Sequence, residues 1–471
     1  MKSIQKSIAM PTILAVATGT FMASLDTSVV NIAMPVIQNH FHVTLSMVEW
    51  VVTAYLLVVS SMLLTFGRLS DIYGHKKVYV TGFVIFTISS LLCGLSINII
   101  MLISCRILQA LGAGMMFSTG PAIITNAVPP ENRGKALSFS AIAVAVALCT
   151  GPVLGGILIT ITGWQSIFFI NIPVGILGTI LALKNIPEDS NKVHAPFDIV
   201  GSVLIFTALI LILLPLDISD KSDLSPFIFY GMLAAGILLV VVFIIFEKNS
   251  EHPILNISLF KNRAFTASNI AALLNFMAQF IMAFLAPFYL QKLRMLPPAS
   301  AGLLFIPMPL TTLVTAPVSG IISDRFDSRY ISSAGMGIMS LGLFMLSFLA
   351  PDTPYYYIII SMIVTGLGSG MFQTPNNSTV MGSVSPQNRG AASGTLATMR
   401  NIGMVIGVAI SGAVFSTSSI HADLIFSAKG LSGLSLFNSS FTYALHITFI
   451  VAGFVALAAF TASLVKGAVK L

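Results

Sequence analysis

From residue 11 to residue 465 the chain is a succession of apolar runs, each about 20 residues long and separated by short polar connections. A run of that length, wound as a helix rising about 1.5 Å per residue, covers the roughly 30 Å of hydrocarbon in a bilayer. Backbone polar groups in lipid must be satisfied within the segment, which a helix does. Of the 471 residues only 8% are Asp, Glu, Lys or Arg, against about 25% in a soluble domain. So little charge cannot clothe a soluble surface, and the chain reads as an all-α, polytopic membrane protein.

Fourteen spans are read, at 11–34, 47–67, 78–98, 101–125, 137–160, 164–184, 198–216, 226–246, 265–290, 299–322, 330–350, 355–380, 392–417 and 442–465. Twelve is the competing count. Lys2 and Lys6 ahead of an apolar stretch resemble a signal peptide, but the stretch is long, contains Asp26 and lacks a small-residue cleavage site, so it is read as the first span. Cys93, Cys105 and Cys149 all lie in apolar segments, offering neither a disulfide framework nor a metal cluster.

The net charge of +7 would suggest a nucleic-acid partner in a soluble protein. Here 17 of the 23 basic residues fall on one set of loops, four (Lys221, Lys292, Arg294 and Lys429) on the other, and Arg106 and Arg400 inside spans. Cytoplasmic loops collect Lys and Arg. Both termini are therefore expected in the cytoplasm, and nucleic acid is not an expected partner.

Two stretches recur. Gly112-Ala113-Gly114-Met115 followed by Pro130-Glu131-Asn132-Arg133-Gly134 returns, 256 residues on, as Gly368-Ser369-Gly370-Met371 followed by Pro386-Gln387-Asn388-Arg389-Gly390. Gly67-Arg68-Leu69-Ser70-Asp71 returns as Gly320-Ile321-Ile322-Ser323-Asp324, 253 residues on. The chain therefore reads as two homologous six-helix bundles, 1–190 and 251–471, with two inserted helices in 191–250. Parallel halves with a site between them near the midplane are a transporter architecture.

Asp26 carries the sharpest chemical signal, because a carboxylate at mid-span costs roughly 2.5–3.5 kcal/mol on an insertion scale. Thr20, Ser24, Thr27 and Asn31 form a polar stripe beside it. The functional reading is a proton-carrying group; the bland one is a static structural carboxylate. Glu49, at the outer end of span two with Thr53, Ser60 and Tyr55 nearby, is a second proton or cation site or a solvated residue. Arg106 in span four keeps its charge and needs an acceptor, and Asp26 is the candidate by type and depth.

The turn from Gly67 to Lys77 holds Asp71, Gly74, Lys76 and Lys77, and its repeat holds Asp324 and Arg325. Charge contacts across such turns can latch two bundles and break when they rock. Gly151, Pro152, Gly155 and Gly156 in span five combine a helix-bending proline with glycines that admit a close neighbour. Candidate cavity residues are Met22, Asn31, Tyr55 and Gln109 in the first half, and Asn275, Gln279, Gln373, Asn376 and Asn377 in the second. Phe276, Phe280, Phe284 and Phe288, every fourth residue, read as packing more readily than as a ligand stripe.

With these motifs in place the chain resembles the major facilitator superfamily, in particular its fourteen-spanner drug:proton antiporters. The resemblance rests on Leu25 to Pro35, Gly67 to Lys77, Arg106 to Gly114, Gly151 to Gly156, Trp164 with Phe168 to Gly175, and Phe197 to Gly201. It implies proton-driven export of amphiphilic compounds by alternating access. Asp26 is then a coupling residue, Arg106 affects coupling, and Asp71 belongs to a conformational latch. It further implies no cofactor beyond the proton gradient, a bacterial-type plasma membrane, and function as a monomer in contact with lipid.

Ala147 replaces the leading glycine of the span-five motif, and Gln165-Ser166 the usual Arg-Trp. No Asp or Glu falls within the residues assigned to spans nine to fourteen, which disfavours multivalent cations as cargo. Alternatives on the same scaffold are proton-coupled movement of a specific metabolite or lipid, or a non-transporting sensor. No Walker-type phosphate loop is present, and no enzymatic chemistry is expected.

Overall fold

The computed structural model describes residues 2–129, 133–188, 199–217, 225–249, 257–323, 325–385 and 389–466. Pro130 to Asn132, Pro386 to Asn388, Lys192, Phe197, Asp198, Lys221 and the expected latch residue Asp324 lie outside them.

Among the described residues sixteen α-helices follow one another: α1 Lys2–Phe41, α2 Leu45–Tyr73, α3 His75–Gly94, α4 Ile99–Ala127, α5 Arg133–Thr162, α6 Ser166–Phe169, α7 Asn171–Asn185, α8 Ile199–Asp217, α9 Pro226–Asn249, α10 Arg263–Phe288, α11 Pro298–Phe305, α12 Pro307–Ser323, α13 Ser328–Leu346, α14 Tyr355–Gly382, α15 Arg389–Ala428 and α16 Gly433–Leu464. Their ends follow from local chemistry. Thr44, Asn98 and Asn262 accept from the first free N–H groups of α2, α4 and α10, as capping side chains do. Gly74, at φ +101°, makes the one-residue turn between α2 and α3, a left-handed conformation that glycine adopts without strain. Pro307 opens α12 directly after α11, where its missing N–H interrupts the helical ladder.

Twelve segments of the described residues are long and apolar enough to cross a membrane. The other two expected spans, 198–216 and 330–350, are helical as α8 and α13 but are not among those twelve, so the expected fourteen are not reached among the described residues. α13 is diluted by serine and glycine, whereas α8 is apolar over almost its whole length, Ile199–Asp217. One boundary moves with consequence. α15 runs to Ala428, well beyond 417, and the crossing Ala391–Ala428 includes Asp423. A second-half span therefore does carry an acidic residue, at its end, where water can solvate it.

The duplication is visible in packing. Gly82 of α3 and Gly112 of α4 meet so closely that a Cβ on either would press on the other's carbonyl oxygen. Gly335 of α13 and Gly368 of α14 make the same reciprocal contact. Small residues let helix backbones approach in a membrane, where apolar area alone does not drive association.

The end of the bundle at the α1–α2 turn is the expected outer end, and there the halves are closed on each other. Beyond α10 the chain winds through a wide π turn, Tyr289–Leu293. From it Gln291 Nε2 donates to the Ile32 carbonyl at 2.8 Å and Lys292 Nζ to Gln38 Oε1 at 2.5 Å. α5 packs against α11, with Gly156 on the Pro298–Ala299 backbone and Gly302 on Pro152. α8 packs on both α2 and α15, and α9 packs on α8.

Candidate functional site

The first half holds a buried polar network around Asp26, whose side chain has no exposure. Arg106 Nη1 donates to Asp26 Oδ2 at 2.5 Å. The other carboxylate oxygen, Oδ1, accepts from Gln109 Nε2 and Asn171 Nδ2, each at 2.9 Å. Gln109 Oε1 in turn accepts from Arg106 Nη1 at 2.6 Å, and its Nε2 also donates to Ser90 Oγ at 2.8 Å. Arg106 Nε donates to the Val51 carbonyl at 3.0 Å, and its guanidinium carbon lies 4.0 Å from the centre of the Tyr55 ring. Buried charges persist in lipid only when paired and hydrogen-bonded, and here the groups on five helices meet that condition.

Helical periodicity explains the assembly. Arg106 and Gln109 are three residues apart and so share one face of α4, turned toward α1. α1 is held beside α5 by the glycines of α5: a Cβ at Gly151 would meet Ser28 and one at Gly155 would meet Val29, within a turn of Asp26. Asn171 is the first residue of α7, where unpaired N–H groups favour a nearby anion. Asn171, Ser90 and the Val51 carbonyl were not among the sequence-derived site residues. The legible signal for Asn171 was a polar side chain early in an otherwise apolar run.

The remaining candidates divide. Glu49 is buried apart from this network, at the expected outer seam, where the α15 backbone at Gly412 sits against its carboxylate. Met22, Asn31 and Asn275 are buried, and neither amide atom of Asn275, nor Asn31 Oδ1, has a hydrogen-bond partner. Gln279 is half-buried. Gln373 donates to Ser369 Oγ at 3.0 Å. Asn376 and Asn377, grouped with it as cavity residues, are separated by the structure. Asn376 is buried inside the second bundle, donating to the Ser268 carbonyl and accepting from Lys466 Nζ at 2.5 Å. Asn377, its neighbour, is exposed, because consecutive helical residues point in different directions. Phe276, Phe284 and Phe288 are buried and Phe280 half-buried.

At the expected inner end, Asp71 pairs with Arg68 at 3.7 Å and His75 at 3.9 Å, both on its own half. Ser70 fixes this turn: its Oγ lies 2.9 Å from His75 Nδ1, and its carbonyl accepts from Gly74. Gly67 has room around it, Lys76 is half-buried, and Lys77 and Arg325 are exposed. Among the described residues no cluster of His, Cys, Asp and Glu could hold a metal.

A family model described as the Major Facilitator Superfamily matches residues 16–408 and 264–468. The chain belongs to this superfamily. As a major facilitator it is a membrane transporter and not an enzyme. It is 36% identical over 449 residues to a riboflavin transporter of Clostridioides difficile, covering 93% of this chain and 95% of that one. It is 33% identical to a methylenomycin A resistance protein of Bacillus subtilis, covering 88% and 90%, and 28% identical to a tetracenomycin C resistance and export protein of Streptomyces glaucescens, covering 86% and 76%. Among solved structures, the major-facilitator fold is shared with a bacterial homologue of the lysosomal transporter Spinster. The TM-score is 0.69 at 14% identity, covering 97% of this chain and 96% of that one. A D-xylose–proton symporter superposes with a TM-score of 0.66 at 15% identity, covering 95% and 97%.

Proposed function

We propose that this transporter exports amphiphilic compounds in exchange for protons, by alternating access in a bacterial-type plasma membrane with both termini in the cytoplasm. The observation that carries the reading is the bonding of Asp26. Its Oδ1 already accepts two hydrogen bonds, so an incoming proton goes to Oδ2, the oxygen that Arg106 holds. Proton uptake and release of the arginine are then one event. The freed guanidinium is not stranded, because Gln109 Oε1, the Val51 carbonyl and the Tyr55 face remain as partners. A charge that changes partners without leaving the protein can bias two arrangements of α1 and α4 at modest cost.

The closed outer end then corresponds to a transporter facing inward, ready to take substrate from the cytoplasm. Asn31 and Asn275, with unspent hydrogen-bonding capacity, supply polar contacts for an amphiphile, and no cofactor beyond the proton gradient is needed. The resistance and export names among the relatives support the direction of transport. The test is dye efflux from energised vesicles carrying Asp26→Asn. Loss of proton-coupled efflux with normal insertion is expected; undiminished coupled efflux removes Asp26 from the mechanism.

A second reading is transport of a flavin-like metabolite, favoured by the 36% identity to a riboflavin transporter across nearly the whole chain. Proteoliposomes given pH gradients of either sign, with riboflavin or a cationic dye inside, separate the two.

A further inference from the structure

Apart from the Asp26 network, the expected outer end holds a half-open cavity of about 170 Å³ between the halves. Its floor and walls are phenyl rings, Phe288 of α10, Phe415 of α15, and Phe437 and Phe441 of α16. Phe415 and Phe441 pack edge-on with centroids 4.9 Å apart, and Phe437 lies 5.7 Å from Phe441. Two opposite charges line the same space: Lys292 on the π turn after α10, and Asp423 on the extension of α15. Asp423 is exposed and Lys292 half-buried, so both sit toward the mouth. Ser440, 2% exposed, also lines the cavity and its hydroxyl has no hydrogen-bond partner.

We propose that this cavity is a binding site for a single-ring aromatic zwitterion, the ring among the phenylalanines, the carboxylate on Lys292 and the ammonium on Asp423. The size fits: an apolar cavity of roughly 150 Å³ is known to admit benzene, while a fused polycyclic drug needs more of the 300–1,000 Å³ common for ligand pockets. The charges select further. An aromatic acid alone meets Lys292 but faces Asp423, and an aromatic amine meets the reverse conflict, so only a molecule with both charges gives each side chain its counter-charge. Lys292 exchanges its bond to Gln38 Oε1 for one to a carboxylate, a stronger acceptor.

The site also belongs to one conformation. Gln38 of α1 and Leu45 of α2 close the wall opposite the second-half residues. Parting the halves at this end removes that wall, so a ligand here binds the closed outer end in preference to the open one. By linkage it holds the transporter in that state.

The experiment is equilibrium dialysis of radiolabelled L-phenylalanine against the purified full-length transporter, with 3-phenylpropionate and β-phenylethylamine as single-charge probes. Saturable binding of L-phenylalanine is expected, with each single-charge probe about tenfold weaker or worse. Asp423→Asn, at an exposed position that does not threaten folding, is expected to weaken L-phenylalanine about tenfold while bringing 3-phenylpropionate up to comparable affinity. Ser440→Leu, which fills the cavity, should abolish binding of all three. No saturable binding at millimolar ligand, equal affinity for the three probes, or binding indifferent to Asp423→Asn overturns the assignment. Because dialysis needs no transport, its failure is distinct from failure of the export reading. With the site present, L-phenylalanine outside sealed vesicles should slow dye efflux, and Asp423→Asn should relieve that inhibition.

Discussion

Gln109 bonds to both members of the buried ion pair, accepting from Arg106 Nη1 at 2.6 Å through Oε1 and donating to Asp26 Oδ1 at 2.9 Å through Nε2. It therefore holds carboxylate and guanidinium at a fixed mutual position. Gln109→Leu leaves one acceptor fewer for the arginine and one donor fewer for the carboxylate. A hydrogen bond to a charged group contributes about 1.5–3 kcal/mol, so initial efflux rates are expected to fall about tenfold or more while expression persists. A wild-type rate in this variant would show that the amide plays no part in the cycle.

The closure at the expected outer end depends on backbone contact between α5 and α11. Gly302 lies against the Pro152 carbonyl, and Gly156 lies against Pro298. Leucine at Gly302 has no space there and must wedge the halves apart. In a Gln38→Cys background, Gly302→Leu should raise labelling by a membrane-impermeant maleimide from outside and abolish efflux. Unchanged labelling would mean that the seam tolerates the added bulk, against the packing described.

The two reciprocal glycine crossings should respond alike. Gly112→Val and Gly368→Val each push a branched side chain into the facing backbone, and overpacking of this kind costs about 1–3 kcal/mol. Both are expected to lower the thermal midpoint of the detergent-solubilised protein by several degrees. Gly231, with nothing within 4 Å, serves as the control, and Gly231→Val should leave the midpoint in place. A midpoint that moves for one crossing and not the other would contradict their equivalence.

Lys466, just past α16, is 2% exposed, and its ammonium lies on Asn376 and 5.4 Å from the Phe372 ring centre. Burial pulls its pKa down from 10.5 to about 7, and the Asp327 carboxylate only partly offsets this. Between about pH 7 and pH 10.5 the unfolded chain holds this proton and the folded one does not, so this residue's contribution to stability rises with pH across that window. Below pH 7 the penalty for burying the charge is present in full. Lys466→Met removes it, so the variant's thermal midpoint should exceed that of wild type most at pH 6, and the excess should shrink as pH rises through 9 toward 10.5. A gap that widens as pH rises would reverse the assignment.

The sequence disclosed the elements of this fold that repeat a strong physical pattern. Apolar runs located the helices to within about three turns, and recurrence of Gly112 as Gly368 announced two halves whose α3–α4 and α13–α14 crossings match. Asp26 and Arg106 were readable as partners because charge in lipid is scarce and must be paired. Asn171 and the Val51 carbonyl were not, since a neutral amide in an apolar run is weakly marked and a backbone acceptor carries no sequence signal at all. Asn376 and Asn377, read together, have different surroundings for a related reason: adjacency in sequence is divergence on a helix. The end of α15 was misplaced because hydropathy fades near water while the helix itself continues through Asp423.

The pair α8–α9 gives the fold a mechanical property. α8 touches α2 from one half and α15 from the other, so the halves cannot rock without α8 sliding along at least one of them. α9 presents most of its surface outward and grips α8 from the lipid side. On the alternating-access reading proposed above, a bilayer that tilts this outer pair drags on the seam, and the transport rate becomes a function of the lipid as well as of the cargo.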